Sequence, residues 1–416
     1  MEVPDFACTR RGRLRMNQRW IARIRNGIRI ERGRIVEIGR FIHANPELGY
    51  EEFGASKRIA GYLERLGFEV EMPYAGLKTA FRAVLKGKGR GHKVAVLAEY
   101  DALKGLGHGC GHNLISVAAM AAAAGMAACR GRFAGQFEVI GTPGEEGKAG
   151  KEDMIRAGAF RHLDACFMTH PSMGNKICIG CTANKMFNVR FKGRSVHAAT
   201  PQEGINALDA AVLFYNSINS LRQHLGEDAR VHAIITNGGQ AVNVIPELAE
   251  VAVCVRSMDE GYLHGLERRV MNAARSAGRA VGASVSIARR GHWYRSFCPN
   301  TALDTLLIES YGNAGIALKR GTGKEGRGSL DMANVSKVVP SSHPYFCIVP
   351  KNAGKVALHT LEFLQLANAR ASYEQAIRAG IGMALAVCRL LSEQNLVKQI
   401  KKEFMAGGSK PAKSEG

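Results

Sequence analysis

The stretch "KVAVLAEYDALKGLGHGCGHNLISVAAMAAAAGMAA" (93–128) decides the fold. It opens with a nearly continuous apolar run, "KVAVLAEY", the pattern of a strand buried on both faces. The glycine-rich loop "GLGHGCGHN" (105–113) follows, and then an alanine-rich run suited to a buried helix. Two more buried strands run into loops in the same way, "GQFEVIGTPGEEG" (135–147) and "ACFMTHPSMG" (165–174). Strands alternating with helices predict an α/β fold with a mainly parallel, doubly wound sheet. Ligands of such a sheet gather beyond the carboxyl ends of its strands.

Beyond residue 184 the pattern changes. "MFNVRFKGR", "INALDAAVLFYNSINSLRQHL", "RVHAIITNGG", "ELAEVAVCVRSM", "LERRVMNAARSAGRAVG" and "ASVSIARRG" read as strand, helix, strand, strand, helix and strand. That order is the ferredoxin-like βαββαβ motif. The expected organisation is therefore a basic leader (1–35), a discontinuous catalytic domain (36–184 and 299–395), an inserted domain (185–298) and an unstructured tail (396–416).

The chain has 416 residues and a net charge of +21. Much of the excess lies at its two ends, in the Arg-rich leader and the Lys-rich tail. No aromatic-interleaved basic stripe or helix-turn-helix accompanies it, so nucleic acid is not the expected partner. The charge suits solubility and the attraction of small anions. No apolar run reaches the length of a membrane span and no signal-peptide core is present, so the cytoplasm is the expected location by default. The ten cysteines are spread through the chain, unlike a secreted disulfide framework, and the Cys178–Cys181 pair has no second pair at zinc-ribbon spacing.

The loops after the three buried strands carry Cys110 and His112, then Glu145 and Glu146, then His170; His359 follows later in "ALHTLEF". A thiolate, imidazoles and a carboxylate form a borderline-soft donor set that suits Zn²⁺, Mn²⁺ or a similar divalent ion. With one of two adjacent carboxylates on the metal, the other is placed to act as a general base. The glycines beside Cys110 leave room for ligand, metal and substrate at one turn. A phosphate cradle is the weaker reading, because no "GK[ST]" or dinucleotide pattern is present.

These residues resemble the metallohydrolase family of aminoacylases, carboxypeptidase G and succinyl-diaminopimelate desuccinylase. The similarity is greatest to its amidohydrolase branch, with the auxin-conjugate and p-aminobenzoyl-glutamate hydrolases, where Cys-Gly-His replaces the usual aspartate. The matching motifs are "AEYDAL", "GHGCGHN", "GTPGEEG", "THP", "GRSVHAATPQEGINALDA", "NVIPE", "SLDMANVS" and "HTLEF". The resemblance implies that Cys110, His112, Glu146, His170 and His359 bind one or two metal ions, Mn or Zn. It makes Glu145 the general acid/base and Asp101 an orienting group. The inserted domain becomes a lid through which a homodimer or larger homo-oligomer forms. His197 would polarise the reacting group in the partner subunit's site, and Asn243 and Arg256 would hold a substrate carboxylate.

Gly144 stands where many members carry alanine, and Lys148, Lys324, Glu325 and Arg327 bring charge to loops near the substrate in this family. Added cations suit a compact aromatic acid. The expected reaction is metal-dependent C–N hydrolysis of a small anionic substrate, in particular the deamination of 5-nitroanthranilate to 5-nitrosalicylate. The alternative is amide hydrolysis of N-acyl or aminobenzoyl amino acids or dipeptides. A non-catalytic scaffold on the same fold is the remaining reading, and the paired glutamates argue against it.

Overall fold

The computed structural model describes residues 7–8, 14–15 and 18–407. They divide into two compact units, one made of the described residues up to Ile179 with Cys298–Gly323 and those from Asn334 on, the other of Gly180–Phe297 and Lys324–Ala333.

The first unit is built on a six-stranded sheet in the order Ser341–Ser342, Ala165–Phe167, Lys93–Ala98, Gln136–Gly141, Phe81–Lys86, Glu69–Glu71. The first four of these strands are parallel, and the last two join the far edge antiparallel. Val94–Ala98 of the central strand are buried, as expected of a strand covered on both faces. From this strand the chain passes to Gln136–Gly141 on one side and then to Ala165–Phe167 on the other. The carboxyl ends of these three strands therefore flank the point where the winding reverses, the place where a doubly wound sheet binds ligands.

The alanine-rich run forms the helix His112–Ala127, in which every residue from His112 to Met126 is buried. Small residues let the neighbouring helices approach closely. A Cβ on Gly39 would lie 2.4 Å from Val117 Cγ2, and one on Gly380 would lie 2.5 Å from Ala121 Cβ. Gly39 belongs to the helix Gln18–Ala44 and Gly380 to Arg370–Ser392. Arg370–Ser392 is long and apolar enough to cross a bilayer by composition, which the sequence reading misses, and it is mostly buried in this core.

Both chain ends differ from the expected organisation. The boundary drawn at residue 35 falls inside the continuous helix Gln18–Ala44, whose Trp20, Ile24, Ile28, Ile35 and Ile42 enter the core. The tail expected to be unstructured from 396 begins as the helix Gln394–Ala406, which buries Val397 and Ile400. Apart from the paired strands Ala7–Cys8 and Leu14–Arg15, the rest of the leader lies outside the described residues, as does the tail beyond Gly407.

The second unit is an antiparallel sheet in the order Arg230–Asn237, Leu248–Ser257, Ala183–Lys192, Ser284–Arg289, with the helices Ala207–Arg222 and Glu260–Val281. In chain order this is βαββαβ with strand order 2-3-1-4, the ferredoxin-like arrangement. Phe187, Val189 and Phe191 alternate with outward Asn188, Arg190 and Lys192, so one sheet face carries this unit's separate core. The segment Lys324–Ala333 also belongs to this unit, where Thr182 Oγ1 donates to the Gly328 carbonyl at 3.1 Å.

Close packing reverses an ordinary rule at Gly380. In an open helix position such as Gly33, where nothing lies within 4 Å of an added Cβ, Gly→Ala should raise stability by about 0.5–1 kcal/mol. Gly380→Ala should instead lower it by about 1–3 kcal/mol. Denaturant unfolding of both variants measures the two signs, and a stabilised Gly380→Ala would contradict the tight helix contact.

Candidate metal centre

Asp101 follows the central strand and uses both carboxylate oxygens to organise the site. Oδ1 accepts the Nδ1 hydrogen of His112 at 2.9 Å, and Oδ2 accepts the backbone N–H of Glu146 at 2.8 Å. The first bond fixes the His112 ring, so that Nε2 is the nitrogen left for another partner. Burial raises the Asp101 carboxyl, but the His112 charge and its hydrogen bond outweigh that and hold the pKa below the usual value. Burial likewise opposes a charged His112, and Asp101 outweighs it, holding the imidazole pKa well above its ordinary value.

His112 opens the alanine-rich helix, and Gly111 before it has φ +80°. A Cβ on Gly111 would also stand 2.6 Å from Pro171 Cγ, so only glycine fits here. This turn brings Cys110 to the loop after the third strand, with its Sγ 3.5 Å from His170 Nε2. His170 Nδ1 donates to the Pro171 carbonyl at 2.6 Å, which leaves Nε2 facing the cysteine. Burial pushes the Cys110 thiol up to about 12. Burial and then the charge of His112 push His170 down to about 4, which keeps its ring neutral.

Glu145 and Glu146 lie on a bent loop entered through Gly144 at φ +69°. That left-handed backbone accounts for glycine at 144, since alanine there would be strained. Buried Glu52 anchors the loop, accepting the Gly144 N–H at 2.8 Å and the Thr79 hydroxyl at 2.8 Å. Burial and the Asp101 charge raise the Glu52 pKa to about 7. His359 completes the group. Its N–H donates to the Gly109 carbonyl at 3.0 Å and its Nε2 stands 3.5 Å from Glu146 Oε1.

All six residues expected from the strand-end loops and "HTLEF" meet here. The donor atoms of Cys110, His112 and His170 lie within 4.8 Å of one another, as do those of Cys110, Glu146 and His359, and those of His112, Glu145 and Glu146. The set passes a test for cation binding that does not depend on ligand type alone. His112 Nε2, Glu146 Oε1 and Glu99 Oε2 are buried without a hydrogen-bond partner, a costly condition that a positive ion would relieve. Sulfur, nitrogen and oxygen donors together suit Zn²⁺ or Mn²⁺.

His197, Asn243 and Arg256 belong to the second unit. His197 is exposed, with its ring Nδ1 accepting the Ala199 N–H at 3.1 Å, and the Ala198 N–H donates to the Asn243 carbonyl at 2.9 Å. Arg256 Nε is turned to Cys254 Sγ at 3.4 Å. Sequence reasoning misses Glu52, Glu99 and the fully buried Lys151, whose Nζ stands 2.5 Å from Glu99 Oε1. A signal for Glu99 is present: an acid directly continuing a strand buried on both faces.

Comparison with known proteins gives the family. Residues 94–384 match the model of peptidase family M20/M25/M40. The chain is 37% identical over 392 residues to a Xaa-Arg dipeptidase of Mus musculus, covering 89% of each chain. It is 34% identical over 314 residues to a p-aminobenzoyl-glutamate hydrolase polypeptide of Escherichia coli K12, covering 70% of this chain and 65% of that one. A solved structure from Bacillus subtilis, a dinuclear metal-binding peptidase of the M20 family, superposes with a TM-score of 0.66 at 20% identity over 87% of this chain and 99% of that one. The family match spans most of the chain and the dipeptidase likeness nearly all of it: the chain belongs to peptidase family M20/M25/M40 and is a hydrolytic enzyme.

Proposed function

We propose that this chain is a metal-dependent amidase that cleaves the amide bond of a dipeptide or of an N-acyl or aminobenzoyl amino acid. The observation that carries the reading is the convergence of Cys110, His112, Glu145, Glu146, His170 and His359, with buried donor atoms that lack partners. The relatives named above are a dipeptidase and an aminobenzoyl-glutamate hydrolase. That favours amide cleavage over the ring deamination of 5-nitroanthranilate expected from the added charges.

In this reading Cys110, His112, Glu146, His170 and His359 hold one or two ions, Mn or Zn. Two donor triads sharing Cys110 support two. Bound metal supplies Lewis acidity, polarising the amide carbonyl and lowering the pKa of water. Asp101 holds His112 by its Nδ1 hydrogen, and the Pro171 carbonyl holds His170 in the same way. Glu145 accepts the proton of the attacking water and delivers it to the amide nitrogen as the C–N bond breaks. His197 steadies the charge on the carbonyl oxygen in the partner subunit's site, while Asn243 and Arg256 hold the substrate carboxylate. The lid forms a homodimer or larger homo-oligomer. Exposed Ile234 and Ile235 on the edge strand and Val212 and Leu213 on the adjoining helix supply apolar surface for it.

Glu145→Gln should lower kcat about 10²–10⁴-fold while metal content by elemental analysis stays unchanged; full activity in this variant would remove Glu145 from the mechanism. Metal removal by chelation should abolish turnover and lower the unfolding temperature, and Mn²⁺ or Zn²⁺ should restore both. Product analysis with a dipeptide ending in arginine, p-aminobenzoyl-glutamate and 5-nitroanthranilate tests the bond cleaved. Amine release from either amide is expected, and ammonia from 5-nitroanthranilate alone would reverse the choice.

A further inference from the structure

Lys151 has no solvent exposure, a rare state for lysine. It lies in the helix Gly150–Arg156, which follows the Glu145–Glu146 loop in the chain, and its Nζ meets Glu99 Oε1 at 2.5 Å. Glu99 directly follows the central strand and is 2% exposed. Its second oxygen, Oε2, has no hydrogen-bond partner and stands 3.5 Å from His112 Nε2, which has none either.

For stability alone, this pair is poorly chosen. Desolvating two charges costs several kcal/mol per ion, and apolar residues of similar volume often serve a core as well or better. The pair also leaves a buried carboxylate oxygen without a hydrogen bond. What that oxygen faces is more informative. Two donors bound to one ion at about 2.1 Å with tetrahedral geometry lie about 3.4 Å apart. A cation carried by His112 Nε2 would therefore also meet the Glu99 charge.

We propose that Glu99 and Lys151 are a positioning pair for the metal centre. Lys151 fixes the Glu99 carboxylate so that Oε2 faces the His112 end of the cluster, and the same ion pair ties the helix that follows Glu145 and Glu146 to the central strand. Two other buried carboxylates hold this loop through its backbone, Glu52 at the Gly144 N–H and Asp101 at the Glu146 N–H. Lys151 adds a hold through a side chain, so mutation can remove it while leaving the backbone ones in place. The inference rests on the metal reading above.

The test uses the full chain stripped of metal and titrated with Co²⁺ and with Mn²⁺, followed by calorimetry and, for Co²⁺, by visible absorption. Wild type, E99Q, K151M and the double variant are compared. E99Q and K151M should each weaken ion binding about 10–100-fold and shift the Co²⁺ absorption. The double variant should bind no more weakly than the weaker single one, because both changes remove the same oriented carboxylate. Should K151M fail to fold, the double variant, which leaves no charge unpaired, carries the comparison. Wild-type affinity and an unchanged Co²⁺ spectrum in E99Q and the double variant would overturn the pair's role and leave the metal reading standing. A wild-type chain that binds neither ion would overturn both.

Discussion

The two hydrogen bonds accepted by Asp101 are the constraint on which the site depends. One oxygen sets the ring of His112 and the other sets the backbone at Glu146. These groups come from different elements, the start of the alanine-rich helix and the loop after the neighbouring strand. A single buried carboxylate therefore fixes the ring of one candidate donor and the backbone that carries another. The central strand makes this possible, because burial on both faces holds Asp101 where three parallel strands end.

Much of this is legible in the sequence, for definite physical reasons. A strand buried on both faces must be apolar almost throughout, so "KVAVLAEY" declares itself. Groups able to bind metal or move a proton follow such strands, so Cys110, His112, Glu145, Glu146 and His170 can be named as candidates before any contact is known. His359 is legible through family likeness, since nothing local marks it. The lid motif is also readable, because alternation along Ala183–Lys192 reports a single buried face.

The parts that are not legible fail for equally definite reasons. In the helix Gln18–Ala44, arginines crowd the exposed face and obscure the stripe of Trp20, Ile24, Ile28, Ile35 and Ile42. Charge density there suggests a leader when it is the solvent face of a core helix. The helix Gln394–Ala406 buries only Val397 and Ile400, too sparse a pattern to stand out from its lysines. Lys324–Ala333 joins the lid unit from a distant point in the chain, a relation that no local pattern encodes. Glu52 and Lys151 look like ordinary surface residues until folding removes them from water.

Those buried residues explain why so polar a region can exist inside a core. Glu52 and Asp101 each spend hydrogen-bonding capacity on backbone N–H groups of one loop, and Lys151 offsets Glu99. Around the cluster these bonds satisfy the loop that carries Glu145 and Glu146, while at its centre Glu99 Oε2, His112 Nε2 and Glu146 Oε1 lack partners. Unsatisfied atoms left at random would be a defect of packing. Gathered at the ends of parallel strands, beside a protonated thiol and a neutral imidazole, they mark a place where the donors converge on positive charge. In the reading proposed above, a divalent ion held there would take the place of the Cys110 and His112 protons, so binding would exchange positive charge for positive charge. The surrounding frame can stay rigid during that exchange, because its hydrogen bonds run to backbone and to Asp101 rather than to the ion.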